Sequence, residues 1–275
     1  MRIRLDLSYD GTDFYGWATQ PDLRTVQGSL EDALAMALRV PVRVVCAGRT
    51  DTGVHARGQV VHFDVDAEPI ARARGHSKQP PLDALVRRLN GILDGDVRVR
   101  RAVEAAPGFD ARFSAAWRRY AYRIADRPEL IDPLTRRHVL AWERRLDVDA
   151  MNAGAEHLIG LKDFAAFCKR REGATTIRTL LELEWTRTPG GLVEGRVVAD
   201  AFCHTMVRSL VGCLVIVGEG RRPAEWAAEM LAGRTRDTSM TVVHPRGLTL
   251  EEVGYPDADE LGAQAERTRA RRTAE

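Results

Sequence analysis

The sequence has little that would suit a membrane-spanning, secreted or fibrous protein. Its longest uncharged apolar run, 210–218, covers nine residues, about half the length that an α-helix needs to cross a bilayer. The first residues alternate charged and apolar side chains, without the apolar core of a signal peptide. Hydrophobic residues make up 44% of the 275 residues and charged residues 29%, which excludes a disordered chain. The sequence therefore predicts a soluble, cytoplasmic protein.

Cysteine is scarce, and metal and cofactor motifs are missing. Four cysteines form no CxxC pair and no metal-ligand spacing, so we expect reduced, partly buried thiols and no structural zinc (Cys46, Cys168, Cys203 and Cys213). The chain has no phosphate-binding loop of the GxxxxGK[ST] type, no HExxH and no HxE with PCxxC. These absences argue against an NTPase, a zinc protease and a nucleobase deaminase. We therefore predict neither a metal nor a cofactor.

Lysine is also rare, because only three of the 41 basic residues are lysines. The stretch from Arg112 to Arg145 contains nine arginines and four acidic residues, which is a local excess of five positive charges. Aromatic residues are interleaved with these charges (Phe113, Trp117, Tyr120, Tyr122 and Trp142). Basic charge mixed with aromatic rings is typical of RNA-binding surfaces. A GC-rich genome would also favour arginine, and a solvated strand face would show the same charge pattern.

The order of predicted elements repeats, and each half follows the order βαββαβ. In residues 1–107, alternation over 2–9 predicts a strand, and an apolar stripe over 25–38 predicts a helix capped by Thr25. The remaining elements of this half are predicted as strands over 42–46, 59–65 and 97–103 and a helix over 82–89, with a surface loop over 71–81.

In residues 108–255 the same kinds of pattern recur. They predict strands over 115–125, 176–187, 192–202 and 248–253 and helices over 147–159, 204–218 and 223–232. The Pro189–Gly191 turn predicts a hairpin, and 256–275 is predicted to be a flexible tail. The fold class is α+β, with two ferredoxin-like (split βαβ) halves sharing a central antiparallel sheet flanked by helices.

The segment 47–58, with the sequence AGRTDTGVHARG, is the strongest candidate for a functional loop. Its three glycines allow the backbone to bend and to approach a ligand closely. Charged and titratable side chains stand between them (Arg49, Asp51, His55 and Arg57). The alternative is a glycine-rich hairpin loop whose charges are incidental.

Arg208 is the only formally charged residue between 201 and 218, and its neighbours are those of a protein core. An arginine cannot lose its proton, so its burial without a partner is costly. Asp51 is a candidate partner, and a carboxylate beside a fixed cation stays ionised, as a nucleophile or an electrostatic stabiliser requires. A different acid, or an arginine that extends to solvent from a helix flank, would satisfy the same pattern.

Six motifs, in order along residues 1–255, resemble the tRNA pseudouridine synthase A family. They are YDGTDFYGW at 9–17, TVQGSLEDAL at 25–34, GRTDTGVH at 48–55, ARFSA at 111–115, RYAY at 119–122 and MVRSLVG at 206–212. The resemblance implies two ferredoxin-like halves and a basic cleft that is completed in a homodimer. It also implies conversion of uridine to pseudouridine at positions 38, 39 and 40 of the tRNA anticodon arm, without metal or cofactor.

The resemblance assigns four residues to the site. Asp51 matches the catalytic aspartate, and Arg49 matches an arginine that fills the space left by the flipped base. Tyr120 matches a tyrosine that packs on the target base and could also serve as the late base. Arg208 matches the arginine that pairs with the aspartate. Asp51 either attacks C1′ of the ribose or removes a 2′ proton to form a glycal, and the sequence does not choose between them.

Small departures from the family pattern occur at Ala18, where glutamine is usual, and at Thr249, where an aromatic residue is common. Thr249 leaves one wall of the pocket in question. Two other functions stay open from the sequence: a non-catalytic module that binds tRNA by shape, and a pseudouridine synthase that acts on another RNA. Loss of pseudouridine formation without loss of binding in Asp51→Ala would separate the enzyme from the binding module.

Overall fold

The computed structural model describes residues 1–169, 175–233 and 241–269. Along the chain the strands and helices are β1 (Arg2–Tyr9), α1 (Val26–Leu38), β2 (Val45–Cys46), β3 (His55–Asp64), α2 (Ala67–Ala73), α3 (Pro81–Ile92), β4 (Val97–Glu104), β5 (Trp117–Ala125), β6 (Leu140–Ala141), α4 (Val148–Glu156), β7 (Gly160–Asp163), β8 (Ile177–Arg187), β9 (Val193–Ala199), α5 (Met206–Gly218), α6 (Trp226–Ala232), β10 (Leu248–Gly254) and α7 (Leu261–Arg269).

The chain divides into two compact units. The described residues of the first are Met1–Ala116 and 250–269, and those of the second lie between Trp117 and Thr249. This division differs from the predicted halves, 1–107 and 108–255, because the first unit extends to Ala116 and because most of β10 belongs to it. Mainly antiparallel strands combine with helices in each unit, which confirms the α+β class. The ferredoxin-like architecture of the halves and their shared sheet stay predictions.

In the first unit the strand order is β4-β1-β3-β10, with β2 beside β3. Strand β1 runs antiparallel to β3 and β4, and it places Leu7 opposite Gln59 and Tyr9 opposite Ala56 on β3. The alternation that predicts β1 is confirmed, because its apolar residues are buried on one face (Ile3, Leu5, Leu7 and Tyr9). The predicted cap of α1 is confirmed too, since Thr25 Oγ1 accepts a hydrogen bond from the Gly28 N–H at 3.2 Å.

In the second unit the strand order is β5-β9-β8-β7, with β6 parallel to β5. The predicted hairpin joins β8 to β9. Gly191 adopts φ +88° there, and its N–H donates to the Thr188 carbonyl oxygen at 2.8 Å. Helix α5 is apolar along nearly its whole length and is buried within this unit. Gly195 of β9 lies under Trp185, because an added Cβ would be 2.7 Å from the indole ring.

Two helices lie where the sequence analysis predicts none. Helix α2 covers the start of the predicted 71–81 loop, and α7 covers residues 261–269 of the predicted flexible tail. Leu261 and Ala265, one turn apart, are buried on α7, and Arg269 pairs with Asp110 at 3.3 Å and stacks over Phe113. Tertiary contacts therefore order a segment whose composition favours disorder. Residues 270–275 of the predicted tail lie outside the described residues.

The cysteines fall into two groups. Cys168 and Cys203 lie against each other, with their Cα atoms 5.7 Å apart, whereas Cys46 and Cys213 are buried outside this pair. The sequence analysis does not indicate this contact, since the two cysteines are 35 residues apart, and the reduced state of the thiols stays a prediction. Burial raises the pKa of the Cys213 thiol to about 12, so this thiol is protonated and inert at neutral pH.

Across residues 1–169, 175–233 and 241–269, no helix has both the length and the apolar character of a membrane span. Over the same residues, no group of three or more His, Cys, Asp or Glu side chains is arranged to hold a metal ion.

Candidate active site

The predicted functional loop leads from β2 into β3 of the first unit. Its last residues, from His55 onward, already belong to β3, so the loop itself is shorter than predicted. A tight turn closes it, because the Val54 N–H donates to the Asp51 carbonyl oxygen at 3.1 Å. Gly53 adopts φ +76° in this turn, a conformation that favours glycine. Asp51 is partly buried, whereas Arg49 is exposed.

Residues 10–17 pack directly against this loop. The Trp17 N–H donates to the Thr50 carbonyl oxygen at 3.0 Å. An added Cβ on Gly16, whose φ is +86°, would lie 3.0 Å from the same oxygen. An added Cβ on Gly11 would lie only 2.0 Å from the Val54 carbonyl oxygen. Both glycines are therefore required for the close approach of two backbone segments.

His55 links the same two segments through its side chain. Its Nδ1 accepts a hydrogen bond from the Gly11 N–H at 3.1 Å, and the ring is buried. The Asp10 Oδ1 atom also lies 3.1 Å from Nδ1. This arrangement makes His55 a structural support of the loop.

The tyrosines of the RYAY motif lie on β5 in the second unit and have different surroundings. Tyr120 is 7% exposed, and its ring meets Phe202 edge-on with ring centroids 5.1 Å apart. Tyr122 is fully buried and donates its hydroxyl hydrogen to the His244 carbonyl oxygen at 2.6 Å. Burial raises the pKa of Tyr122 well above its ordinary value. Tyr122 is therefore a structural residue, whereas Tyr120 packs against a second aromatic ring.

Arg208 lies in the first turn of α5 and is partly buried. Its Nε donates to the Val243 carbonyl oxygen at 2.8 Å, and the Val243 N–H donates back to the Arg208 carbonyl oxygen at 3.4 Å. The first-unit candidates, Arg49 and Asp51, share one loop, whereas Tyr120 and Arg208 belong to the second unit. The pairing of Asp51 with Arg208 stays a prediction.

The arginine-rich stretch 112–145 is less uniform than its charge pattern indicates. Arg118 is buried and donates to the Asp200 carbonyl oxygen at 2.6 Å, and the guanidinium of Arg123 lies 2.7 Å from Glu194. These two arginines stabilise the interior of the second unit. Other arginines of the stretch are exposed, and they are the ones that could contact RNA (Arg112, Arg136, Arg137, Arg144 and Arg145).

The sequence analysis does not find three residues that support the loop. Tyr9, Thr50 and Gln59 are buried and joined by side-chain hydrogen bonds in the first unit. The sequence holds one indication of these residues. Tyr9 is the last of the alternating, inward-facing residues of β1, and a buried hydroxyl needs hydrogen-bond partners, which Thr50 and Gln59 provide.

Comparison with known proteins defines the class of this enzyme. The sequence model of the tRNA pseudouridine synthase family matches residues 7–114 and 155–256, and the chain belongs to this family. The chain is 56% identical to the tRNA pseudouridine synthase A of Streptomyces griseus, over 99% of this chain and 94% of the relative. It is 56% identical to that of Frankia casuarinae, over 98% and 95%, and 48% identical to that of Mycobacterium leprae, over 98% and 94%.

Among solved structures, an archaeal box H/ACA sRNP complex matches 78% of this chain and 43% of its own chain. Its TM-score of 0.31 and identity of 14% are too low to carry an argument.

Membership of the family establishes the reaction class. The protein is an enzyme, a pseudouridine synthase that isomerises uridine to pseudouridine in tRNA. Family membership therefore disfavours the hypothesis that the protein is a non-catalytic tRNA-binding module. It also favours tRNA over another RNA as the substrate.

Proposed function

We propose that this enzyme modifies uridines 38, 39 and 40 in the anticodon arm of tRNA, with Asp51 as its catalytic group. The resemblance of six ordered motifs to the tRNA pseudouridine synthase A family supports the choice of positions. One observation carries the assignment of Asp51: this residue lies in a turn whose backbone is held by the Phe14–Trp17 segment. A fixed backbone suits a group that must meet a reacting atom at a defined place.

The chemistry requires an extruded nucleotide, because the ribose C1′ atom and the uracil ring are inaccessible within a stem. Flipping the base out costs about a few kcal/mol, which contacts in the pocket offset. The C1′–N1 bond then breaks, the uracil ring turns, and C5 forms a bond to C1′. The C5 proton finally leaves, and N1 gains a proton, so the product is an isomer of the substrate. Asp51 acts either by adding to C1′ or by removing the 2′ proton to give a glycal.

The other candidates have supporting roles in this proposal. Arg49 is exposed on the loop, where its guanidinium would occupy the space that the flipped base leaves. Arg208 would hold the Asp51 carboxylate as a charged partner. Tyr120 would pack on the uracil ring, and we favour this role over that of a base because an unperturbed tyrosine has a pKa near 10.

The catalytic assignment is tested with Asp51→Asn and Asp51→Ala on unmodified tRNA. We expect the rate of pseudouridine formation to fall by about 10³-fold or more while tRNA affinity largely survives. Asp32→Asn is the matched control, since Asp32 is exposed on α1 of the same unit. Activity of Asp51→Ala close to that of Asp32→Asn would refute the role of Asp51.

The substrate positions need a separate measurement. Mapping pseudouridines in the tRNA of cells that lack the protein should show losses at 38, 39 and 40, and losses elsewhere would reassign the substrate. We also propose a cytoplasmic homodimer, as the resemblance implies. Light scattering coupled to gel filtration should then give twice the mass of the single chain.

A further inference from the structure

A chain of buried polar side chains lies beneath the Asp51 loop in the first unit. Gln59 on β3, Tyr9 at the end of β1 and Thr50 in the loop are 0%, 5% and 6% exposed. The Tyr9 hydroxyl lies 2.8 Å from Thr50 Oγ1. The Gln59 Nε2 amide donates to the Tyr9 hydroxyl oxygen at 3.2 Å and to the Gly48 carbonyl oxygen at 2.7 Å.

Gln59 is the donor in two of these bonds. The Tyr9 oxygen accepts from the Gln59 amide, and either hydroxyl can be the donor between Tyr9 and Thr50. Both hydrogens of the Gln59 amide are then used, one on Tyr9 and one on Gly48. Buried polar groups are costly when they are left unsatisfied, so removal of one member disturbs the next.

The geometry points to a positioning role. Gly48 and Thr50 flank Arg49, and Thr50 directly precedes Asp51, so the chain of hydrogen bonds holds the backbone on both sides of Arg49. Tyr9 and Gln59 lie on paired strands of the sheet, β1 and β3. Strands hold side chains more accurately than loops do. The hydrogen bonds thus tie the position of the loop to the sheet.

We propose that Tyr9 and Gln59 are positioning residues for the isomerisation, acting on Asp51 through Thr50 and Gly48. The inference rests on the catalytic role proposed for Asp51. It goes beyond that role because it assigns the placement of the carboxylate to two residues on the neighbouring strands β1 and β3. A loop freed from them would still bind tRNA but would present Asp51 less accurately to the ribose.

The test uses Tyr9→Phe, Thr50→Val and the double variant, which remove the hydroxyls of one hydrogen bond. We expect kcat to fall about 10- to 100-fold in each single variant, with KM changed by less than about threefold. The double variant should be no more than about twofold slower than the slower single variant, because all three lack the same hydrogen bond. Thr50→Ser keeps the hydroxyl and should retain most of the rate.

Tyr255→Phe is the matched control for a lost tyrosine hydroxyl, in a partly buried position. The Tyr255 hydroxyl donates to the Ala111 carbonyl oxygen at 2.7 Å in the same unit, and its ring stacks with Arg4. Arg4 lies five residues before Tyr9 on β1, roughly 16 Å away along the strand. Tyr255→Phe should therefore lower the melting temperature about as much as Tyr9→Phe and leave kcat unchanged.

Several outcomes would overturn the inference. Equal kcat in Tyr9→Phe and Tyr255→Phe would refute the positioning role. The role would also be refuted if the fold decrease of kcat in the double variant equalled the product of the decreases in the two single variants. If Tyr9→Phe does not fold, Thr50→Val and Thr50→Ser make the same comparison at the other end of the bond, and equal rates there would refute the inference. Full activity of Asp51→Ala would instead refute the proposed function, so the two failures are distinguishable.

Discussion

Gly11→Ala is the change that most directly tests how the candidate active site is built. An alanine Cβ at this position would lie 2.0 Å from the Val54 carbonyl oxygen and 2.5 Å from its carbonyl carbon. Carbon–oxygen contacts are normally no shorter than about 3.3 Å, so the two backbone segments would have to separate by about 1.3 Å. The obstructing atoms belong to the backbone, and no side-chain rotation can move them away.

The displacement would reach Asp51 by a short route. The Val54 N–H donates to the Asp51 carbonyl oxygen, and the Gly11 N–H donates to His55 Nδ1, so both ends of the turn would shift. A misplacement of about 1 Å near reacting groups costs about 10²-fold in rate. Overpacking in a buried region lowers the free energy of unfolding by about 1–3 kcal/mol. Single-turnover pseudouridine formation at saturating tRNA measures the first effect, and urea denaturation measures the second.

Gly91→Ala is the matched control for Gly11→Ala. Gly91 lies on α3 of the same unit and an added Cβ would meet no heavy atom within 4 Å. Alanine favours a helix over glycine by up to about 1 kcal/mol, so this variant should be slightly more stable and equally active. If Gly11→Ala matched Gly91→Ala in both rate and stability, the close approach of residues 10–17 would not position the loop.

Two further predictions concern stability. Burial and the nearby Arg2 charge lower the pKa of His62 from its ordinary value of 6.5. As the pH falls below about 6.5, this histidine is protonated in the unfolded chain before it is protonated in the folded protein, so the free energy of unfolding decreases. The decrease in melting temperature between pH 7.5 and pH 5 should therefore be smaller in His62→Asn than in the wild-type protein. Asp126 is fully buried in a bidentate pair with Arg187, so Asp126→Ala should lower the denaturation midpoint by the equivalent of about 3–5 kcal/mol. Glu129→Ala, which breaks an exposed pair, should cost less than about 1 kcal/mol, and equal effects of the two would contradict the reasoning.

The sequence alone predicts the elements whose signals are local. Strand β1 follows from its period of two, and the start of α1 follows from the Thr25 cap. The hairpin after β8 follows from Gly191, which adopts a positive φ. In each case the residues that carry the signal also make the structure, because alternation, capping and turn conformation act within a few residues.

The elements that the sequence analysis misses depend on distant partners. Helix α7 has few apolar residues, and it is held by Leu261, Ala265 and the contacts of Arg269 with Asp110 and Phe113. Those contacts join residues more than 150 positions apart, and no periodicity within the helix indicates them. The glycines and charges of the 47–58 segment are local and indicate a loop there, although β3 already begins at His55. The supports of this loop are distant in sequence, and the sequence analysis misses them as it misses α7.

The supports of the loop explain how a glycine-rich segment can adopt one conformation. Glycine loses more conformational entropy on folding than any other residue, so a loop with Gly48 and Gly53 is costly to order. Its exposed side chains at Arg49 and Thr52 bury little surface that could offset this cost. Contacts with residues outside the loop must therefore stabilise its conformation. There are two sets of such contacts: the packing of residues 10–17 against the loop, and the hydrogen bonds of Tyr9 and Gln59. Because the two sets of contacts hold different atoms of the loop, loss of either set should reduce the rate of pseudouridine formation even when the other is intact.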